Sequence, residues 1–389
     1  MNRALTRGQP AALEAVRAMV MGTPPHAVLL SGPLGVGKTT LALDLAAGLL
    51  CTNADPAARP CRECRACRMV EHDNHPDLHW LRPEGPGGQI VIGGSDARYR
   101  GVRDLIADLA LLPVEGGARV AILERADRMN EDAQSALLKT LEEPPAGVTI
   151  VLCANDEEQL LPTVRSRCAR LRLGPVGSRA VEEILAEHGR ADAPTAARLG
   201  RLAGGRPGLA IAYARVPEAA SVRVELAHVL LDLVDARPSS RLEALRSLVP
   251  RASELGALLE RGGQSVDGDA TVPEPAVDAP SGTSETLAAE DGARRVPAAE
   301  RRRAAAVLIA VWVDVARDLA LVAAGERAAL RDPSLLEEYE AIARDVPVRD
   351  IAAFIERLGR GGELLEVNVA PELLLDSLVL SWPSRTRAA

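Results

Sequence analysis

The chain has 389 residues, enough for two or three domains each with its own core, and its 47% apolar share is that of an ordinary globular protein. A formal charge of −8, with no segment that gathers the basic residues, speaks against a chain that coats nucleic acid through its own basic stripe. No signal-type stretch opens the sequence and Val307 to Val313 is too short to span a bilayer, so the expectation is a cytoplasmic chain without membrane contact, its six cysteines reduced.

The first apolar run, Ala27-Val28-Leu29-Leu30, predicts a buried strand that leads directly into Gly32-Pro33-Leu34-Gly35-Val36-Gly37-Lys38-Thr39. That octapeptide meets every fixed position of the G-x-x-x-x-G-K-S/T phosphate loop. Its backbone N–H groups and the positive end of the next helix can cradle a polyphosphate. Gly32, Gly35 and Gly37 shape the cradle, Lys38 would bridge the outer phosphates, and the Thr39 hydroxyl, with Thr40 beside it, would sit at a Mg²⁺ ion. Only two of the 46 basic residues are lysine, and Lys38 falls where a compact ammonium serves better than a guanidinium fork. Leu41, Leu45 and Leu49, flanked by Ala42 and Ala46, predict the amphipathic helix that follows.

Cys51, Cys61, Cys64 and Cys67 come next, as C-x9-C-x2-C-x2-C. Two overlapping C-x2-C steps bring three thiolates to one ion and the fourth closes a tetrahedron, which suits a structural Zn²⁺ with no open position. His72, His75 and His79 follow closely, and any of them could replace Cys51. Cys153 and Cys168 lie in or beside strands and read as small core residues.

A second strand, Val120 to Leu123, ends in Glu124-Arg125. Glu124 stands where a carboxylate would hold the magnesium shell, and Arg125 where a second acid would position the attacking water. A cation there cannot act as a base and repels the metal, so slow or absent hydrolysis is expected. Asp127 lies two residues beyond Arg125, and rescue by it would need altered backbone geometry. Asn130 can cap a helix carrying Ala133, Leu137 and Leu141, which Pro144-Pro145 stops. A third strand, Val148 to Leu152, precedes Asn155, which is placed to sense a γ-phosphate, although alone it would read as a turn residue. Ser166-Arg167-Cys168 offers an outward arginine, and Leu171 to Leu173 ends the region. Strands alternating with helices predict a mostly parallel sheet with helices on both faces, over residues 1–174.

From Pro175 to about Arg215 the pattern is wholly helical, broken at Gly204-Gly205-Arg206-Pro207, and reads as a small lid. Leu226 to Val234, Leu242 to Leu259, Ala304 to Val322, Ile351 to Leu358 and Leu373 to Leu380 predict a third, all-helical domain over 216–389. It is interrupted at 262–297. Gly262 to Ala293 holds seven acids and no base, and cannot bury enough apolar surface to offset its ordering entropy, so it reads as a disordered insertion.

Together these pieces resemble the AAA+ clamp-loader family of the bacterial replicative DNA polymerase. The resemblance rests on the loop with its four-cysteine insert, on Glu124-Arg125-Ala126-Asp127-Arg128-Met129-Asn130 running into Ala136-Leu137-Leu138-Lys139-Thr140-Leu141-Glu142-Glu143-Pro144-Pro145, and on Ser166-Arg167-Cys168. His75-Pro76-Asp77 and the run Asn368 to Leu380 add to it. It is firm over about residues 8 to 215 and looser beyond. Within the family, tau/gamma motor subunits keep Asp-Glu at the magnesium strand and an arginine in a Gly-Ser-x-Arg-Asp stretch of the lid. This chain has Glu124-Arg125 and, in the lid, Gly205-Arg206-Pro207-Gly208, with Gly208 at the arginine's place. Both departures point to the delta-prime type; the whole phosphate loop points the other way, and ATP binding without turnover reconciles them. The resemblance implies that Arg167 acts in trans on ATP held by a neighbouring tau/gamma subunit. It implies a collar shared with tau/gamma and delta, and a complex that loads the sliding clamp on primed DNA.

Overall fold

The computed structural model describes residues 3–85, 88–94, 98–115, 117–187, 189–263, 298–366 and 369–385. The amino-terminal part alternates helices and strands: α1 (Pro10–Met21), β1 (Ala27–Ser31), α2 (Lys38–Leu50), α3 (Arg65–Glu71), β2 (Leu78–Leu81), α4 (Val102–Leu109), β3 (Arg119–Leu123), α5 (Glu131–Glu142), β4 (Val148–Ala154), α6 (Pro162–Arg165) and β5 (Ala169–Arg172). The strands form one parallel sheet in the order β2-β3-β4-β1-β5. β1, β3 and β4 are buried along their whole length, which is why they read as unbroken apolar runs, without the alternation of a half-exposed strand.

Because successive side chains point to opposite faces, each strand feeds two cores. Ala27, Leu29, Ala121, Leu123, Ile150 and Leu152 pack against α4 and α5. Val28, Leu30, Val120, Ile122, Val151 and Cys153 pack on the other face against α1 and α2. Asn130 caps α5 as its sequence predicts, its side chain accepting the Ala133 N–H at 2.9 Å. This is the parallel sheet with helices on both faces expected from the sequence.

Helices alone follow: α7 (Ser178–Glu187), α8 (Ala193–Leu202), α9 (Pro207–Arg215), α10 (Pro217–Asp232), α11 (Pro238–Gly263), α12 (Ala298–Ala323), α13 (Leu336–Ala343), α14 (Val348–Glu366) and α15 (Pro371–Leu380). They share one apolar cluster from Val176 to Trp382. The scarce aromatics are concentrated there, with Trp312, Phe354 and Trp382 packed in tilted to edge-on pairs at centroid distances of 4.7 to 5.5 Å. Of the expected insertion 262–297, Gly262 and Gly263 close α11, and 264–297 lie outside the described residues. Among the described residues no helix is long and apolar enough to cross a membrane.

Candidate nucleotide and metal sites

The phosphate loop leaves β1 at the carboxyl edge of the sheet. Gly32, Gly35 and Gly37 have φ of +148°, +83° and +99°, the left-handed region that glycine occupies without strain. At Gly32 a side chain is also excluded by contact, since a Cβ there would lie 2.1 Å from the Leu173 carbonyl oxygen. Lys38 opens α2 and is almost wholly buried. Its Nζ donates to the carbonyls of Gly32 (2.7 Å) and Pro33 (2.9 Å) and to Asn155 Oδ1 (2.8 Å). Burial pushes the ammonium down to about 8, with the Arg125 charge adding to the effect and Asp127 opposing it. Thr39 and Thr40 stand half-buried in the first turn of α2.

Asn155 follows β4 at the same edge, and its backbone N–H donates to Asp127 Oδ1 at 2.9 Å. Asp127 is therefore used in holding the turn after β3 to the end of β4. Glu124 closes β3, but its carboxylate lies 3.4 Å from Arg82 Nε, and Arg82 also pairs with Asp73 at 2.8 Å and covers the Trp80 ring at 4.6 Å. Arg125 is exposed, in the left-handed region at φ +54°, ψ +52°, and forms no ion pair among the described residues. The loop and Lys38 thus fit a polyphosphate. The acid side of the site fits a divalent cation poorly, because its strand-end carboxylate faces Arg82 and its neighbour is a guanidinium.

The helical segment that the sequence reads as a lid meets this loop directly at the start of α9. The Gly208 N–H donates to the Gly35 carbonyl at 2.8 Å, and a Cβ on Gly208 would come 3.1 Å from Gly35 Cα. Arg206 faces away, its Nε on the Ala203 carbonyl at 2.8 Å and its guanidinium 3.8 Å from Asp314 of α12.

Arg167 lies at the opposite edge of the sheet. β5 runs parallel to β1 with Ala169 level with Val28 and Arg172 level with Ser31, so Arg167, in the turn before β5, lies about 10 Å or more along the strand direction from its own phosphate loop. It is a third exposed, paired to Glu142 at 2.5 Å and donating to the Thr163 carbonyl at 2.9 Å. Buried Gln134 ties the start of α5 to the start of α6: its Oε1 accepts the Leu161 N–H at 2.7 Å and its Nε2 reaches the Met129 and Gln159 carbonyls.

The four cysteines meet between the end of α2 and the start of α3, all four sulfurs within 4.8 Å of one another. Cys51 Sγ lies 3.6 Å from Cys61 Sγ and 3.9 Å from Cys64 Sγ. A tetrahedral ion with bonds of about 2.3 Å requires sulfur separations of about 3.8 Å, so the set can hold a metal ion. Backbone N–H groups of Asn53, Cys64 and Cys67 donate to Cys51, Cys61 and Cys64 sulfurs at 3.3 to 3.5 Å. Burial works against ionisation of Cys64, yet the N–H from Cys67 and hydrogen bonds from Thr52 bring its thiol down to about 6, whereas burial raises Cys51 and Cys67. Among the described residues no histidine joins the group: His72 is exposed, His75 accepts the Asp77 N–H, and His79 lies on β2 near Asp108. Buried Asp44 moors the module, accepting from Leu5 N, Thr6 N and Thr6 Oγ1 at 2.7 to 2.9 Å and pairing with Arg62. Cys153 is core, pushed by burial up to about 12, and burial likewise raises Cys168 to about 11.

Residues 8–177 match the family described as DNA polymerase III, delta subunit. The delta-prime subunit of Pseudomonas aeruginosa is 40% identical over 161 residues, 41% of this chain and 47% of its own length. That of Bacillus subtilis is 33% identical over 162 residues, 42% of this chain and 46% of its own. The tau subunit of Salmonella typhimurium is 33% identical over 197 residues, 49% of this chain and 29% of its own length. The chain therefore spans just under half the length of these two delta-prime relatives. Over residues 8–177 the chain is therefore similar to the delta-prime subunits of bacterial DNA polymerase III.

Proposed function

We propose that this chain is the delta-prime subunit of a bacterial clamp loader, which holds ATP with little or no hydrolysis and lends Arg167 to the active site of a neighbouring tau/gamma subunit. The observation that carries this reading is the separation of the two sites. A complete phosphate loop sits at one sheet edge with a guanidinium at the catalytic position, and an arginine stands at the other edge, beyond reach of its own loop. Phosphate oxygens would exchange with the carbonyls that Lys38 now bonds, and Asn155 would sense the outermost phosphate. Thr39 offers a hydroxyl to a Mg²⁺ shell, but the pairing of Glu124 with Arg82 argues against a complete one. The four-cysteine set is read as a structural Zn²⁺ site, since its donors are soft and leave no open position.

The likeness to tau subunits supports a second reading, an ATPase motor. Arg125 opposes it, as does Gly208, whose contact with Gly35 leaves a long side chain at that position no room to point at a phosphate without lifting the lid. In the proposed assembly residues 1–174 form the core, 175–215 the lid and 216–389 the collar. The partners are tau/gamma and delta, the sliding clamp and, through the complex, primed DNA, in the cytoplasm. Mixing the purified chain with tau/gamma and delta of the same organism tests this: it should co-elute with both in one stoichiometric peak. A chain that elutes alone at micromolar concentration contradicts the assignment.

A further inference from the structure

We propose that this chain holds its nucleoside triphosphate without a divalent cation, the guanidinium of Arg125 supplying the positive charge that magnesium would bring. The inference rests on the reading of the phosphate loop as a nucleotide site. It begins from the misfit on the acid side of that site. Glu124, the carboxylate at the strand end, is paired with Arg82 at 3.4 Å, so an ion held there would have to displace that guanidinium. A cation placed beside it would meet both Arg82 and Arg125.

The same residues suit an anion. The turn that carries Arg125 is tied to the loop by a short relay, in which Lys38 bonds Asn155 at 2.8 Å and the Asn155 N–H bonds Asp127, two residues on from Arg125, at 2.9 Å. The guanidinium has no carboxylate partner among the described residues, and its charge is felt at Lys38. A non-glycine residue in left-handed backbone is disfavoured, and here that conformation carries the chain from β3 into the turn that Asp127 ties to β4. Arginine's planar fork matches phosphate oxygens bidentately, so it can neutralise them as an ion does. It cannot deliver or activate a water, which accords with retention of the nucleotide over turnover.

The test is equilibrium binding of N-methylanthraniloyl-ATP to the full-length protein, in excess Mg²⁺ and in EDTA. Arg125→Asn and Arg125→Asp serve as variants because both residue types tolerate left-handed backbone. The wild type is expected to bind in both buffers with affinities within about threefold. Arg125→Asn should bind about tenfold or more weakly in EDTA, the loss of one charge-assisted contact, and Arg125→Asp should bind only when Mg²⁺ is present. Wild-type binding that requires Mg²⁺ overturns the proposal while leaving the nucleotide site intact, and cation-independent binding unaltered in Arg125→Asn removes Arg125 from it. Absence of binding in both buffers overturns the nucleotide reading itself, and this inference with it.

Discussion

Arg167→Ala should lower ATP hydrolysis at the neighbouring subunit's site by about a thousandfold or more, the usual contribution of an arginine finger supplied in trans. The measurement is single-turnover hydrolysis by the assembled complex, so that slower sites are not averaged with intact ones. Arg167→Lys should rescue little, because an ammonium lacks the planar fork that grips two phosphate oxygens. Assembly and metal content should not change. In the isolated chain Arg167 is a third exposed and its contacts are Glu142 and the Thr163 carbonyl, neither of them in an apolar core. Surface pairs of this kind contribute about 0 to 1 kcal/mol, so the variant should fold as the parent does. Undiminished hydrolysis by the complex would end the in-trans role.

Cys64→Ser should release the bound metal and loosen the segment from Cys51 to Glu71. Cys64 would ligate the ion and also caps α3, its sulfur accepting the Cys67 N–H at 3.4 Å. The segment is joined to the sheet's core through Leu50 and Val70, so its loss is felt beyond the module. Structural zinc sites contribute folding energy directly, and a loss of about 3 kcal/mol, or a midpoint drop of about 10 °C, is expected for a domain of this size. Metal analysis by inductively coupled plasma mass spectrometry with thermal unfolding checks both halves. A metal-free wild type that is equally stable would refute the site.

What the sequence reveals and what it hides divide along the range of the interactions. The phosphate loop, the Asn130 cap and the cysteine cluster are local patterns whose residues act within a few positions of one another, and each is legible without the fold. β2 is not: Leu78-His79-Trp80-Leu81 is short, carries a histidine and a half-buried face, and becomes a strand through its pairing with β3. With β2 hidden, so is the Arg82–Glu124 ion pair, which depends on the ends of those two strands being neighbours. α1 and α4 give no signal beyond ordinary amphipathic spacing. The Lys38–Asn155 bond joins residues 117 positions apart, and only the β1–β4 pairing brings them together. Asp127 is visible as a nearby acid, but its actual task, holding the Asn155 N–H, needs the turn geometry that follows Arg125.

The claim beneath all of this is that the chain retains a triphosphate at one sheet edge and acts on another subunit from the opposite edge. Steady-state ATP turnover by the lone purified protein, with binding followed in parallel, tests it most directly. The account predicts saturable binding that Lys38→Ala abolishes, with no multiple turnovers over minutes. Sustained turnover of several ATP per minute, lost in Lys38→Ala, would contradict it.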